Sequence, residues 1–210
     1  MQLVLASNNA KKLAELGALF APLGLTLVAQ GALGIGEAEE PHATFLENAL
    51  AKARHAAQLS GGAAIADDSG LCVDAFGGGP GVDSANFAAL PGPLVGDREA
   101  QRRVQDEANN RLLLERLDGV VDRRARYVST LVALRAVDDP EPLVATGRWH
   151  GEILVAPQGS GGFGYDPLMH IPALGRTVAT LSAGAKNQHS HRAIAAGVML
   201  ALMREVWHLG

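Results

Sequence analysis

The sequence predicts an α/β protein built on a mixed sheet, and two observations carry that prediction. Apolar strand-like runs alternate with amphipathic helical runs through the first hundred residues, the pattern of sheet and helix layers. The second half then holds a long pair of β-rich segments, Arg126 to Val137 and Pro142 to Leu154, joined by the turn Asp138-Asp139-Pro140-Glu141. Such a hairpin argues against a fully parallel, doubly wound sheet. The hairpin and its neighbours are the candidate for a second lobe.

Taken in order, Leu3 to Ala6 reads as a buried strand. A helix follows from about Ala10 to Phe20, with Leu13, Leu16 and Leu19/Phe20 at helical spacing. Leu25 to Ala29 is a second strand, and Gly31 to His42 is a loop carrying Glu37, Glu39 and Glu40. Thr44-Phe45-Leu46-Glu47 fits a capping box, which opens a helix whose apolar face is Leu46, Ala49, Leu50, Ala53 and Ala57. Ser60-Gly61-Gly62 ends it. Ala63 to Ala66 is a strand ending at Asp67-Asp68-Ser69-Gly70, and Leu71 to Phe76 continues extended. Gly77 to Pro93 is irregular and rich in glycine and proline. Asp97 caps a polar helix to about Leu117, and a last helix runs from about Ser190 to His208.

The chain has 210 residues, enough for one large domain or for two tightly joined lobes. It is 48% hydrophobic and 19% charged, which supplies a core and excludes a disordered chain. A net charge of −4 disfavours duplex nucleic acid, whose binding relies on a basic excess, but a nucleotide needs only a few local donors. A single cysteine, Cys72, excludes an internal disulfide framework and a Cys-rich zinc site, and a reducing cytoplasm is the expectation. Cys72 itself lies in an apolar run and reads as a core thiol. No stretch approaches the ~18 apolar residues of a membrane helix. The run Met1 to Ala6 has neither a basic lead nor a cleavage pattern, so no signal peptide is expected.

Four segments carry residue types suited to chemistry. Ser7-Asn8-Asn9-Ala10-Lys11-Lys12 joins a strand to a helix, where N–H groups, the helix dipole and a lysine suit an anion. A plain helix cap with two solvated lysines accounts for it as well. Ala66-Asp67-Asp68-Ser69-Gly70 sets carboxylates at the end of an apolar run, costly there unless solvated, paired or metal-bound. Adjacent strand residues point to opposite faces, so at most one of the two aspartates faces a given site. Magnesium takes one or two carboxylates with water and phosphate, and Glu39 or Glu40 is the candidate for the second. An acidic turn before Gly70 is the simpler alternative. Gly159 to Asp166 allows close backbone approach, and Phe163 and Tyr165 within it suit a base or sugar; a surface loop with an anchoring aromatic fits too. Lys186, His189, Ser190, His191 and Arg192 offer donors at the start of the last helix, or simply make that start hydrophilic. Two histidines two residues apart, with no cysteine near, do not make a zinc site, and no G-x-S-x-G elbow appears.

In this order the segments resemble the inosine triphosphate pyrophosphatase (Ham1-like) family, which hydrolyses non-standard purine nucleoside triphosphates. Ser7 to Lys12 is similar to its N-terminal [ST]-x-N-x-x-K segment. Phe45-Leu46-Glu47-Asn48-Ala49, Ala66 to Leu71, Gly78 to Val82 with Ser84-Ala85, Gly162 to Pro167, and Ser190-His191-Arg192 follow in family order. The resemblance runs from Leu3 to about Leu202. There are departures: Pro41-His42 stand where the family has Thr-Gly, Gly184-Ala185 replace two acids before Lys186, and Asn86-Phe87 replace Arg-Tyr.

The resemblance implies one domain of two lobes around a long mixed β-sheet with flanking helices, with the substrate cleft between the lobes. It implies a cytoplasmic homodimer, dependence on Mg2+, and cleavage between the α- and β-phosphates of ITP, dITP and XTP. Carried over residue by residue, Ser7, Asn8, Asn9, Ala10, Lys11 and Lys12 hold the triphosphate. Asp68 is the general base and holds magnesium with Glu39, and Ser69 contacts substrate. Phe163 stacks on the base, Gly164, Tyr165 and Asp166 border it, and Lys186, His191 and Arg192 complete the pocket. His191 and Arg192 donate to the base carbonyl O6, so Arg192→Ala is expected to lose preference for ITP more than stability. A Maf-like pyrophosphatase lacks the Phe-Gly-Tyr-Asp and Ser-His-Arg segments, and a nucleotide sensor without turnover needs no general base.

Overall fold

The computed structural model describes residues 2–90, 92 and 95–209. Residue 1 of the N-terminal run and residues 91 and 93 of the glycine- and proline-rich segment therefore lie outside the described residues. The elements run β1 (Gln2–Leu5), α1 (Ala10–Phe20), β2 (Thr26–Ala29), α2 (Phe45–Ser60), β3 (Ala64–Val73), α3 (Arg98–Arg116), β4 (Arg124–Leu134), β5 (Leu143–Ile153), β6 (Met169–Ile171), β7 (Arg176–Thr177), α4 (Ala183–His189) and α5 (His191–Val206). The strands order as β2-β1-β3-β4-β5-β6-β7. β1 is parallel to β2 and β3, whereas β6 is antiparallel to β5 and β7. The sheet is mixed, as the hairpin pattern predicts. No helix among the described residues is long and apolar enough to cross a membrane.

The chain divides into two compact units. The first takes the chain to Ser69, then Val128–Arg148, and resumes at Asn187; the second is Gly70–Tyr127 with Trp149–Lys186. The turn-side halves of the hairpin thus belong to the first unit, where the sequence suggested that the whole hairpin seeds a second lobe.

Strand alternation organises the first unit. Leu3, Leu5, Ile65, Leu131, Ala133, Leu143 and Ala145 share one core with Leu16 and Phe20 of α1 and with Ala195, Ala196, Met199 and Met203 of α5. The alternate residues Val4, Ala6, Ala64, Ala66, Val132 and Leu134 pack with Ala49, Ala53, Ala56 and Ala57 of α2. One face thus carries α1 and α5, the other α2. In the second unit Leu71 and Val73, Leu113 and Leu117 of α3, Tyr127, Trp149, Ile153, Leu168 and Met169 form a separate core.

Local signals explain most boundaries. Thr44 caps α2 by accepting from the Glu47 N–H at 3.2 Å, and its hydroxyl donates to the Glu47 carboxylate. Gly61, in the left-handed region, closes the helix. Two expectations change. Leu46 is exposed, and the buried stripe of α2 includes Asn48 and Lys52 instead. β3 also does not end at Asp67 but runs unbroken from Ala64 to Val73, so the aspartates sit in mid-strand. The strands β6 and β7, three and two residues long, are too short to show alternation, and α4 lies in a polar stretch without an apolar stripe.

Candidate active site

Because β3 continues through the aspartates, alternation assigns their faces. Asp67 follows Ile65 onto the α1/α5 face, and Asp68 follows Ala66 onto the α2 face. Each carboxylate enters a different cluster, and both clusters lie within the first unit.

Asp67 is almost fully buried and fully hydrogen-bonded. Its Oδ1 accepts from the Ser129 hydroxyl at 2.7 Å. Its Oδ2 receives Arg192 Nε at 3.0 Å, the Ser69 hydroxyl at 3.2 Å and the Lys12 ammonium at 2.9 Å. Burial alone would raise its pKa, but the Lys12 and Arg192 charges, with hydrogen bonds from Lys12 and Ser129, outweigh that and hold it well below the usual carboxylate range. Arg192 is equally buried: its NH1 donates to Glu15 at 2.9 Å and its NH2 to the Ser69 hydroxyl at 2.9 Å. Burial opposes its charge, and Asp67 and Glu15 restore it. Lys12 is shifted down, first by burial and then by Arg192 and Lys52, against the attraction of Asp67.

Arg192 reaches Asp67 because α5 starts directly against the sheet. Ser190 caps that helix by accepting from the Ala193 N–H at 3.1 Å. Beneath it lies Gly147 of β5, where any Cβ would collide with the backbone of His191 and Ala195. Only glycine lets the helix start this low.

The loop from β1 to α1 is held internally. Asn9 caps α1, accepting from the N–H groups of Lys11 and Lys12 at 3.0 and 3.3 Å, and its own N–H donates to Ser7. Asn8 accepts from the Gly31 N–H at 2.8 Å. Of the backbone N–H groups expected to meet phosphate, those of Asn9, Lys11 and Lys12 are therefore engaged within the loop. The cations of this loop are the exposed Lys11 and the partly buried Lys12, with Ala10 exposed at the first helical position.

Asp68 has different surroundings. Its Oδ1 accepts from Lys52 Nζ at 2.7 Å, and the same ammonium donates to Glu40 at 2.8 Å. Its Oδ2 is buried with no hydrogen-bond partner. Glu40 lies near enough to perturb it, but two ionised carboxylates are both acceptors, so neither supplies the missing donor. Burial pushes Asp68 up to about 6; Lys52 pulls it down and Glu40 adds to the rise. Burial also works to raise Glu40, but Lys52 outweighs it and the net direction is down. Lys52 is raised: burial lowers it, and Asp68 and Glu40 more than compensate. A buried acceptor without a donor, beside a second carboxylate, fits a small hard cation that brings its own water and phosphate ligands. Among the described residues no group of three or more His, Cys, Asp or Glu forms a complete metal cage. The resemblance points to Glu39 as the second carboxylate; Glu39 and Glu40 are both exposed, and Glu40 is the one that shares Lys52 with Asp68. Asn48 fixes the approach of this segment by pairing with both the N–H and the carbonyl of His42, at 3.0 and 3.1 Å.

The second unit holds its own cluster. Asp166 is buried and accepts from the Phe163 N–H at 3.0 Å, the Tyr127 hydroxyl at 3.0 Å and Lys186 Nζ at 2.9 Å. The Lys186 ammonium stands 4.4 Å from the centre of the half-buried Phe163 ring. Gly162, at φ +77°, has no room for a Cβ against the Asp166 carboxylate. Tyr165 is buried, and its hydroxyl donates to the Ser84 carbonyl at 2.8 Å.

The family's sequence pattern matches residues 3–202, nearly the whole chain and every segment described above. The chain belongs to the Ham1 family. It is 69% identical to the dITP/XTP pyrophosphatase of Leptothrix cholodnii over 100% of both chains, and 69% identical to that of Methylibium petroleiphilum over 99% of each. Among solved structures, the HAM1 protein of Coxiella burnetii superposes with a TM-score of 0.86 at 36% identity, covering 98% of this chain and 100% of that one. The Ham1 protein of Staphylococcus aureus follows at 0.82 and 34%, over 98% and 99%.

Within the family's segments, the structure brings Lys12, Asp67, Ser69 and Arg192 into one cluster and Phe163, Asp166 and Lys186 into another. Sequence reasoning did not single out Lys52, Glu15, Ser129 or Tyr127. Helical register exposes Lys52, which falls among Ala49, Ala53 and Ala56 on the inward stripe. Strand parity exposes Ser129, two residues before Leu131 on the Asp67 face.

Proposed function

We propose that this protein is a magnesium-dependent pyrophosphohydrolase of non-standard purine nucleoside triphosphates, with dITP, ITP and XTP as substrates. The observation that carries it is Asp68: buried, held by Lys52 through one oxygen, and presenting the other with no donor beside Glu40. The names of the relatives supply the substrate class, and a nucleoside triphosphate suits both clusters. Its phosphates match the lysines and carboxylates, and its flat base matches the Phe163 ring.

The chain's own residues divide the work. Lys11 and Lys12 meet phosphate charge, with the Lys12 ammonium fixed by Asp67. Lys52 locks the Asp68 side chain so that Oδ2 faces the reacting water. As the water oxygen bonds to the α-phosphorus, its proton passes to Asp68 Oδ2, and the oxygen bridging to the β-phosphorus leaves with pyrophosphate. Burial makes the Asp68 carboxylate a stronger base than an exposed aspartate. Asp68 and Glu40 would hold magnesium, which neutralises charge on the phosphates. Phe163 stacks on the base through the ring face that the Lys186 ammonium does not cover. Hypoxanthine and xanthine carry a carbonyl where adenine carries an amino group, so a donor at that edge of the base favours them. A cytoplasmic homodimer is part of the same reading, and light scattering of the purified protein tests the dimer.

The deciding experiment is pyrophosphate release from dITP, ITP, XTP, GTP and ATP with and without magnesium. Magnesium-dependent release from the first three, with little from ATP and GTP, is the expected result. Tight binding without release would replace the enzyme with a sensor, and neither would remove the reading.

A further inference from the structure

Helix α3 carries a polar stripe that the core of the second unit does not use. Asp106 and Asn110 stand one turn apart on it and hold the two ends of a single residue, Gly164. The Gly164 N–H donates to Asp106 Oδ2 at 2.8 Å, and Asn110 Nδ2 donates to the Gly164 carbonyl at 2.9 Å. Gly164 sits at φ +60°, directly after Phe163. Tyr165, the next residue, is tied to the same helix through Ser84. Asn109 donates to the carbonyls of Ser84 and Ala85 at 3.3 and 3.0 Å, and Tyr165 donates to that same Ser84 carbonyl at 2.8 Å. Asn110 makes its contact although its other amide atom, Oδ1, is buried with no hydrogen-bond partner. A buried acceptor left unmatched is unfavourable, and the reverse amide orientation would set oxygen against the Gly164 carbonyl oxygen. The donation to Gly164 therefore decides how Asn110 sits.

We propose that Asp106 and Asn110 are positioning residues for purine recognition: they clamp the peptide groups of Gly164 and so fix the Phe163 ring under the Lys186 ammonium. The clamp rests on the reading of Phe163 as the base-stacking residue. Before the ring the chain is tied by the Gly161 N–H to the Ala179 carbonyl at 3.1 Å; after the ring the hold comes from α3. Asp166 holds the ring's own N–H, and α3 holds the next residue at both ends. A loosened clamp leaves the phosphate contacts of the first unit in place and degrades only the face on which the base lies.

The test compares Asn110→Ala and Asn110→Asp with the wild type. The second is isosteric and sets a carboxylate oxygen against the Gly164 carbonyl. KM and kcat are measured for dITP and XTP, with the inhibition constant of inorganic triphosphate, which has no base, as the internal control. The expected result is a rise in KM of about tenfold or more, with kcat much less affected and triphosphate inhibition within about twofold of wild type. Asp106→Ala is expected to behave the same way, and Asp106→Asn, which keeps an acceptor for the Gly164 N–H, to recover most of the loss. Should the Asn110 variants not fold, the Asp106 pair decides alone. Unchanged KM in folded variants overturns the clamp, as does a parallel loss of triphosphate binding. A wild type that turns over no dITP removes the base-stacking reading and the clamp with it, whereas normal wild-type turnover with unaffected variants removes the clamp only.

Discussion

Asp67 and Arg192 are 125 residues apart in the chain and meet at 3.0 Å, Nε to Oδ2, with both side chains buried. Arg192 also grips Glu15 and Ser69. Removing the guanidinium takes a counter-charge from two carboxylates, and leaves Asp67 with Lys12 alone. Arg192→Ala is therefore expected to lose about 3–5 kcal/mol of stability, the usual penalty for breaking a buried pair on one side. This inverts the expectation that Arg192→Ala loses substrate preference more than stability. Arg192→Lys recovers little, since one ammonium cannot serve three acceptors in a plane. Urea denaturation of the three proteins checks this, and a loss below about 1 kcal/mol would show that water or rearrangement already satisfies Asp67.

Asp68 has the opposite balance. Its folded pKa of about 6 lies above the ordinary carboxylate value, so the folded state binds the proton more tightly than the unfolded chain. Stability is therefore lost as pH rises from about 4 to about 6, and the full penalty is present above that. Asp68→Asn removes the penalty while keeping an acceptor for Lys52. In metal-free buffer at pH 7.5 it is expected to be more stable than wild type by on the order of 2 kcal/mol, with the difference vanishing near pH 4. Its pyrophosphate release should fall to a small fraction of wild type. A variant that is no more stable at pH 7.5 would mean that Asp68 ionises freely.

Much of this arrangement is legible in the sequence. The short apolar runs Leu3 to Ala6 and Ala63 to Ala66 give strands, Asn9, Thr44, Asp97 and Ser190 act as helix caps, and strand parity already separates Asp67 from Asp68. What is not legible depends on pairs far apart in the chain. The sequence marks Arg192 as a donor but not that Asp67 and Glu15 occupy it. It marks two glutamates but not which one Lys52 reaches. Two adjacent carboxylates look like a strand end, yet β3 runs through them: Lys12, Ser129 and Arg192 keep the first inside, and Lys52 the second.

Glu39 and Glu40 are neighbours with different surroundings, and magnesium should distinguish them. Both are exposed, but Glu40 shares the Lys52 ammonium with Asp68. Glu40→Gln is expected to raise the magnesium concentration needed for half-maximal turnover by about tenfold or more, because one of two anionic ligands is lost. Glu39→Gln should leave it within about twofold. A magnesium titration of pyrophosphate release for both variants reads the difference, and the reverse ranking would return Glu39 to the metal.

Gly147 completes the argument for how Arg192 reaches Asp67. Along β5 the residues facing α5 shrink from Leu143 through Ala145 to Gly147 as the strand nears the start of that helix. A methyl group at Gly147 meets the backbone of His191 and Ala195, which cannot swing aside as a side chain would. In Gly147→Ala the first turn of α5 must lift, with an overpacking loss of about 1–3 kcal/mol. Lifting that turn also pulls Arg192 from Asp67, so the substitution acts partly through the ion-pair network. The consequence is non-additivity: in the Arg192→Ala background, Gly147→Ala should be less damaging than in the wild type, by roughly 1 kcal/mol or more. Urea denaturation of the two single variants and the double variant closes that cycle. Strict additivity would mean that α5 accommodates the methyl group without moving Arg192, and that Gly147 serves only the packing of the sheet.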